Sequence, residues 1–338
     1  MWEIVGQNRA FSLLQRSLER QALAHAYLVT GPRHVGKMTL ALDLARALNC
    51  EAPEPPCGVC ASCQKIGSGK HADVQVIGLG SNTNLAEAKT QTEIGIDQIR
   101  DMQHSASLPP FEGRFKVFII DGAEHLSSEA ANSLLKTLEE PVSKVIFILL
   151  TTSDRLLPAT IVSRCQRLEL PPLTTAEVET ALNAHPDIEM AKSRLLARLC
   201  GGCLGWALRA LGDDRLLKQR AERLERLLKV TTGDIEERLG YALELATQFS
   251  QNRDIVEEIL ALWRNWWRDL LLIKAGGYSF ISNTDMEATL TSRAGDYNLG
   301  QIRDFIRSIQ ETLEQLKQNA NPQLALEVLM LGIPERGG

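Results

Sequence analysis

Ala26-Tyr27-Leu28-Val29-Thr30-Gly31-Pro32-Arg33-His34-Val35-Gly36-Lys37 is the stretch that decides how this chain folds. Four apolar residues with strand character run into a turn bracketed by Gly31 and Gly36, and an Ala/Leu-rich segment with helical character follows to about residue 48. A strand, a glycine loop and a helix in that order turn backbone N–H groups and a helix N-terminus toward an anion, and Lys37 then reaches the outer phosphates of a nucleotide. The position after the lysine calls for a hydroxyl that binds Mg²⁺. It holds Met38, a thioether and a poor ligand for a hard cation. Thr39 comes one residue later, on a different side of the helix, and would need a register shift to serve.

Working outward, 116–120 and 145–150 read as further buried strands, with a weaker one at 74–77. From Gly6 to about Leu170, apolar runs alternate with helical periodicities, which predicts an α/β domain with a mainly parallel sheet over 1–170. Ligands of such a sheet gather at the strand carboxyl ends. After Pro171-Pro172-Leu173 the strand signal stops. Short helices are expected over 171–211 as a small lid domain, with Thr174 or Thr175 as N-cap and Glu177 in the first turn. An all-helical domain is expected over 212–338, where Ile302, Phe305, Ile306, Ile309, Leu313 and Leu316 share one helix face. Asn321-Pro322 opens a last helix that ends before Pro334.

The 338 residues allow two or three domains, and 44% hydrophobic with 23% charged content is ordinary for a globular chain. No run is long and apolar enough to cross a membrane. The start, Met1-Trp2-Glu3-Ile4-Val5-Gly6-Gln7, has no secretory pattern, so a reducing cytoplasm is the expected compartment and disulfides are not expected. With 37 basic and 42 acidic side chains the net charge is −5, which argues against strong nucleic-acid binding by this chain alone. Any DNA contact should be local or shared with partners.

Two further clusters carry chemistry. The run ending in Asp121 has the form of a Walker-B segment, in which the aspartate supports a metal and a following glutamate activates water. The following residue is Gly122; Glu124 stands two positions farther on and projects differently. Asp121 also reads as a plain helix cap after the strand. Cys50, Cys57, Cys60 and Cys63 offer two successive Cys-x-x-Cys steps and one cysteine upstream, on a turn-rich loop. Four thiolates favour Zn²⁺ and leave no position open for substrate, so the expected zinc is structural; redox thiols or an iron–sulfur site are the other readings. Cys165, Cys200 and Cys203 read as small buried apolar residues.

These motifs resemble those of bacterial DNA polymerase III clamp-loader subunits, a branch of the AAA+ P-loop proteins. The resemblance runs through Val5-Gly6-Gln7, the phosphate loop, the four-cysteine loop, Ala130-Ala131-Asn132-Ser133-Leu134-Leu135-Lys136-Thr137-Leu138-Glu139-Glu140-Pro141 and Ser163-Arg164-Cys165. Asn319-Ala320-Asn321-Pro322-Gln323-Leu324-Ala325-Leu326-Glu327 looks like the family's final collar helix. The resemblance implies a hetero-pentamer with gamma/tau and delta subunits that opens a sliding clamp around primer-template DNA, using ATP held at subunit interfaces. It further implies that Arg164 reaches in trans toward the neighbour's γ-phosphate, with a surface or intradomain ion-pair arginine as the other reading, and that Thr151 or Thr152 is a sensor-1 residue or merely ends its strand. Within the family the sequence sides with the non-hydrolysing delta-prime type. Met38 stands for the Mg²⁺ hydroxyl, Gly122 for the catalytic glutamate and Gly205 for the sensor-2 arginine, and the chain stops at Gly338 where a tau-like chain would continue. ATP and Mg²⁺ are then expected to bind weakly or not at all at Gly31, Gly36, Lys37, Thr39, Asp121 and Thr152.

Trp263, Trp266, Trp267 and Leu270 share a helical face and read as collar packing, with base stacking beside Arg264 and Arg268 as the rival. Two other functions stay open: an ATP-hydrolysing gamma/tau-type subunit with Mg²⁺ held through Thr39, and a non-replicative AAA+ adaptor in which Arg164 is dispensable.

Overall fold

The computed structural model describes residues 2–79, 93–185, 188–318 and 320–335. Asn319, part of the predicted collar-helix motif, lies outside the described residues, as does Met1. The chain divides into two compact units, one of 1–181 with 202–206 and one of 182–201 with 207–338. The expected lid segment, 171–211, contributes to both.

The first unit is built from α1 (Asn8–Glu19), β1 (Ala26–Thr30), α2 (Lys37–Asn49), α3 (Ala61–Gly67), β2 (Val74–Ile77), α4 (Ile96–Ser107), β3 (Lys116–Asp121), α5 (Ser128–Glu139), β4 (Val145–Thr151), α6 (Ala159–Val162) and β5 (Gln166–Glu169). The five strands are parallel in the order β2-β3-β4-β1-β5. Side chains alternate across the sheet as the pleat requires. Tyr27, Val29, Val117, Ile119, Ile146 and Ile148 pack with Leu40, Leu44 and Leu48 of α2 on one face. Leu28, Phe118, Ile120, Phe147 and Leu149 pack with Ile99 of α4 and Leu134 and Leu138 of α5 on the other. Near-continuous apolar strands follow, because both faces of the sheet are covered.

The four sequence-predicted strands are all present. β5 was not foreseen, since in Gln166-Arg167-Leu168-Glu169 only Leu168 is buried. The chain passes from β1 to the far edge, fills back through β3 and β4, and then crosses β1 to add β5. β1 is therefore where the strand order reverses, and the loop after it opens at the shared carboxyl edge. α7 (Thr175–Asn183) begins as expected, with Thr174 as cap. Its hydroxyl accepts from the Glu177 N–H at 3.2 Å, and the Glu177 carboxylate accepts from the Thr174 N–H at 2.8 Å.

The helices continue as α8 (Met190–Leu199), α9 (Leu204–Gly212), α10 (Asp214–Thr232), α11 (Ile235–Gln251), α12 (Arg253–Lys274), α13 (Glu287–Ala294), α14 (Leu299–Lys317) and α15 (Pro322–Leu331). Ile302, Phe305, Ile309 and Leu316 of α14 are buried, with Ile306 and Leu313 packed at the margin. Asn321 caps α15 by accepting from the Leu324 N–H at 3.1 Å, with Pro322 in the first turn. All three α12 tryptophans lie in the core. Trp263 stacks on Tyr241 at 6.0 Å, and Trp267 meets Phe305 at 4.7 Å and Tyr297 at 4.9 Å. Of the two readings of this face, packing is the one observed, since buried rings have no face left for a base.

The turn between α12 and α13 is tied down from beneath. Asp269, fully buried, accepts from the Ser282 N–H at 2.9 Å, the Asn283 N–H at 2.7 Å and the Asn283 side-chain amide at 2.8 Å. Arg220 grips Asp285 with two nitrogens, at 2.7 and 3.2 Å, and also bonds Asn283. Asp269→Ala strands these buried donors. It should cost about 2–4 kcal/mol, measured as a shift in urea unfolding followed by tryptophan fluorescence, with Asp269→Asn recovering part of the loss.

Candidate functional site

The glycine loop of residues 31–36 joins β1 to α2 at the switch point. Gly31 N–H donates to Thr151 O at 3.3 Å and Leu170 N–H donates to Thr30 O at 2.8 Å, so β4 on one side and β5 on the other hold the loop's first residues. Lys37 is turned back into the loop, where its ammonium donates to Gly31 O at 2.7 Å and Pro32 O at 2.9 Å. Burial lowers its pKa, while the nearby charges of Glu124 and Asp121 push the other way. Met38 is a packing residue, lying against the core under α2. Thr39 is the next helical position, about 100° farther around the axis.

Gly205 is at the loop as well. Its N–H donates to His34 O at 2.9 Å, and a Cβ on it would come within 2.8 Å of that same carbonyl oxygen. No longer side chain fits without moving the loop backbone.

Asp121 ends β3 at the same edge, exposed at the strand's last position. Desolvation raises its pKa and Lys37 opposes the rise. Gly122 follows with φ +74°, a left-handed conformation that strains any L side chain. A one-turn 3-10 segment, Ala123–His125, then carries Glu124 across to the end of β4. There Glu124 Oε1 accepts from the Thr152 N–H at 3.1 Å and the Thr152 hydroxyl at 2.9 Å. Its other oxygen is buried as well. Burial raises the Glu124 pKa, but the hydrogen bonds its carboxylate accepts outweigh that and hold it below the usual range. Thr151 is buried and donates its hydroxyl to Ser153 O at 3.0 Å.

Arg164 follows α6, and its guanidinium donates to Thr160 O at 2.8 Å and forms an ion pair with Glu139 at the end of α5. Both side chains are partly exposed, at 34% and 49%. The structure thus brings Lys37, Asp121, Thr152 and Gly205 to one edge of the sheet and ties Arg164 to α5. Sequence reading missed two contacts, Glu124 with Thr152 and Glu139 with Arg164. Glu139 lay within the recognised Leu138-Glu139-Glu140-Pro141 run, but nothing in one dimension pairs it with residue 164.

The four cysteines converge. Their sulfur atoms all lie within 4.8 Å of one another, with Cys50 Sγ and Cys60 Sγ 4.0 Å apart. Sulfurs around one zinc, each at about 2.3 Å, stand roughly 3.8 Å apart. The Cys57 N–H points at Cys50 Sγ and the Cys60 N–H at Cys57 Sγ, both at 3.3 Å, so the backbone already supports negative sulfur. Backbone N–H groups of Cys60 and Val59 pull the Cys57 thiol down to about 6, while burial pushes Cys63 up to about 12. The donor set can hold a structural metal such as zinc, whose charge would favour the thiolate at all four positions. Arg114 donates to Cys50 O, joining the module to the segment before β3. Cys200 is buried, and Cys165 packs on the core with its thiol pushed up to about 12 by burial.

The family model described as DNA polymerase III, delta subunit matches residues 6–174, and the one described as DNA polymerase III, delta subunit, C terminal matches 215–335. The subunit delta' of Bacillus subtilis strain 168 is 30% identical over 334 residues, covering 97% of this chain and 96% of that protein. The chain belongs to the DNA polymerase III delta' subunit family. It is homologous to the tau/gamma subunits too. The tau subunit of Bacillus subtilis strain 168 is 30% identical over 98% of this chain, and that of Escherichia coli K12 is 38% identical over 61%. The chain spans 61% and 31% of the length of those two tau proteins. For a delta' family member the phosphate loop, the cysteine module and Arg164 all fall inside the first matched segment. Among the described residues no helix is long and apolar enough to cross a membrane.

The thiol geometry generates a direct check. Elemental analysis of the purified chain should find about one zinc per molecule, and Cys60→Ser should lose it. The same substitution should lower the thermal midpoint by about 5 °C, as should prolonged chelation.

Proposed function

We propose that the chain works as the delta'-type subunit of a DNA polymerase III clamp loader, helping to place a sliding clamp on primer-template DNA. The near end-to-end match to a delta' protein, at 97% and 96% coverage, carries this reading. Gamma/tau and delta subunits are the proposed partners in a hetero-pentamer, with the residues after about 212 as the collar, 171–211 as the lid and a structural zinc in the cysteine module.

In this assembly the chain's own nucleotide site is degenerate. Several features support that reading: Met38 at the hydroxyl position, a left-handed Gly122 at the carboxylate position, and Gly205 closed on His34 at the guanidinium position. Arg164 acts on the neighbour's ATP, where a guanidinium stabilises charge spread over the transferring phosphoryl oxygens. Its ion pair with Glu139 is a resting contact. Two partly exposed side chains are held together only weakly, so the arginine can leave for a phosphate.

A motor role of the gamma/tau type is the second reading, favoured by the tau match over 98% of the chain. Reconstitution with motor and clamp-opening subunits, clamp and primed DNA separates the two. Arg164→Ala should cut turnover at the one ATP site it serves by about 10³-fold, so the assembly's rate falls by that site's share. Lys37→Ala should leave the rate nearly unchanged, and Glu139→Gln should leave it at or above wild type. Brisk ATP hydrolysis by the isolated chain, abolished by Lys37→Ala, would establish the motor reading instead.

A further inference from the structure

Thr152 presents two donors, its backbone N–H and its hydroxyl, to a single oxygen at 3.1 and 2.9 Å. It sits at the switch point, one residue beyond Thr151, whose carbonyl accepts from the first N–H of the phosphate loop. Converging donors at a strand's carboxyl end form an anion site. The anion they hold is the Glu124 carboxylate, and among the charges around Lys37 that of Glu124 acts on it most, ahead of Asp121. The second Glu124 oxygen is buried as well. Gly122 makes this placement possible. Its φ of +74° turns the chain after Asp121 into the short 3-10 segment that aims Glu124 at Thr152.

We propose that Glu124 is an internal stand-in for the outermost phosphate, occupying the donors of Thr152 and the field of Lys37 so that the site discriminates against nucleoside triphosphates. The proposal rests on the reading of Gly31 to Lys37 as a nucleotide loop and adds the cause of its selectivity. A triphosphate must displace the carboxylate from two hydrogen bonds or bring more negative charge against it. A diphosphate leaves the outermost position to Glu124. The site so equipped is tuned toward a diphosphate-bound or empty state, which suits a subunit that contributes to a neighbour's reaction rather than running its own.

The test measures binding of N-methylanthraniloyl ATP and ADP, each with Mg²⁺, to the full-length chain by fluorescence titration. Wild type, Glu124→Gln, Glu124→Ala and the double variant Glu124→Gln with Lys37→Ala are compared. The glutamine variant keeps the side chain's shape, so it carries the test even if the alanine variant is unstable. We expect the ratio of ATP to ADP affinity to rise by about tenfold or more when the charge is removed, and the gain to vanish in the double variant. An unchanged ratio, or no nucleotide binding by a folded Glu124→Gln chain, overturns the proposal and reduces Glu124 to a loop tie. Neither result touches the degenerate-site reading, which falls only if the wild-type chain hydrolyses ATP at motor-like rates.

Discussion

Everything at the candidate site depends on β1 being hydrogen-bonded on both sides. β4 pairs with it along its whole length, from Ala26 with Phe147 to Thr30 with Thr151, and β5 pairs from Tyr27 with Gln166 to Thr30 with Glu169. A strand buried on both faces and paired on both edges has no freedom to slip, because a one-residue shift would turn every side chain to the wrong layer. The loop after it therefore starts from a fixed point. Parallel pairing then brings the ends of β3 and β4 to the same edge, so residues more than a hundred positions apart in sequence become neighbours.

Within that frame, Met38, Gly122 and Gly205 are each built into the local packing or backbone. Met38 fills space under α2, Gly122 takes a left-handed turn, and Gly205 lies against a loop carbonyl that leaves no space for a Cβ. A side chain at 122 would be strained by the left-handed backbone, and one at 205 would clash with the His34 carbonyl. The three positions are thus coupled to the local structure and not merely to one another's chemistry. The cysteine module, in contrast, is a local device: its four thiols lie within fourteen residues, and backbone N–H groups of the same loop point at two of the sulfurs.

Much of the fold was legible in one dimension because the controlling interactions are periodic or local. The strands at 116–120 and 145–150 announce themselves as buried on both faces, and Thr174 with Glu177 and Asn321 with Pro322 are caps whose partners lie three residues away. β5 was not legible, because an edge strand with one buried residue in four has no pattern to read. The two units also divide the chain differently from the sequence expectation. Gly202 to Trp206 belongs with the first unit through contacts such as Leu173 N–H to Gly202 O at 2.9 Å, which no linker composition reveals.

By itself the sequence determined four of the five strands, several helix caps, the loop and the thiol set, since these follow from short-range stereochemistry and side-chain chemistry. Tertiary structure alone decided which side chains meet: Glu124 with Thr152, Arg164 with Glu139, Gly205 with His34 and Asp269 with Asn283. The physical reason is that hydrogen bonds and ion pairs act over about 3 Å. Whether two groups come that close is settled by sheet order and helix packing, and not by their separation along the chain.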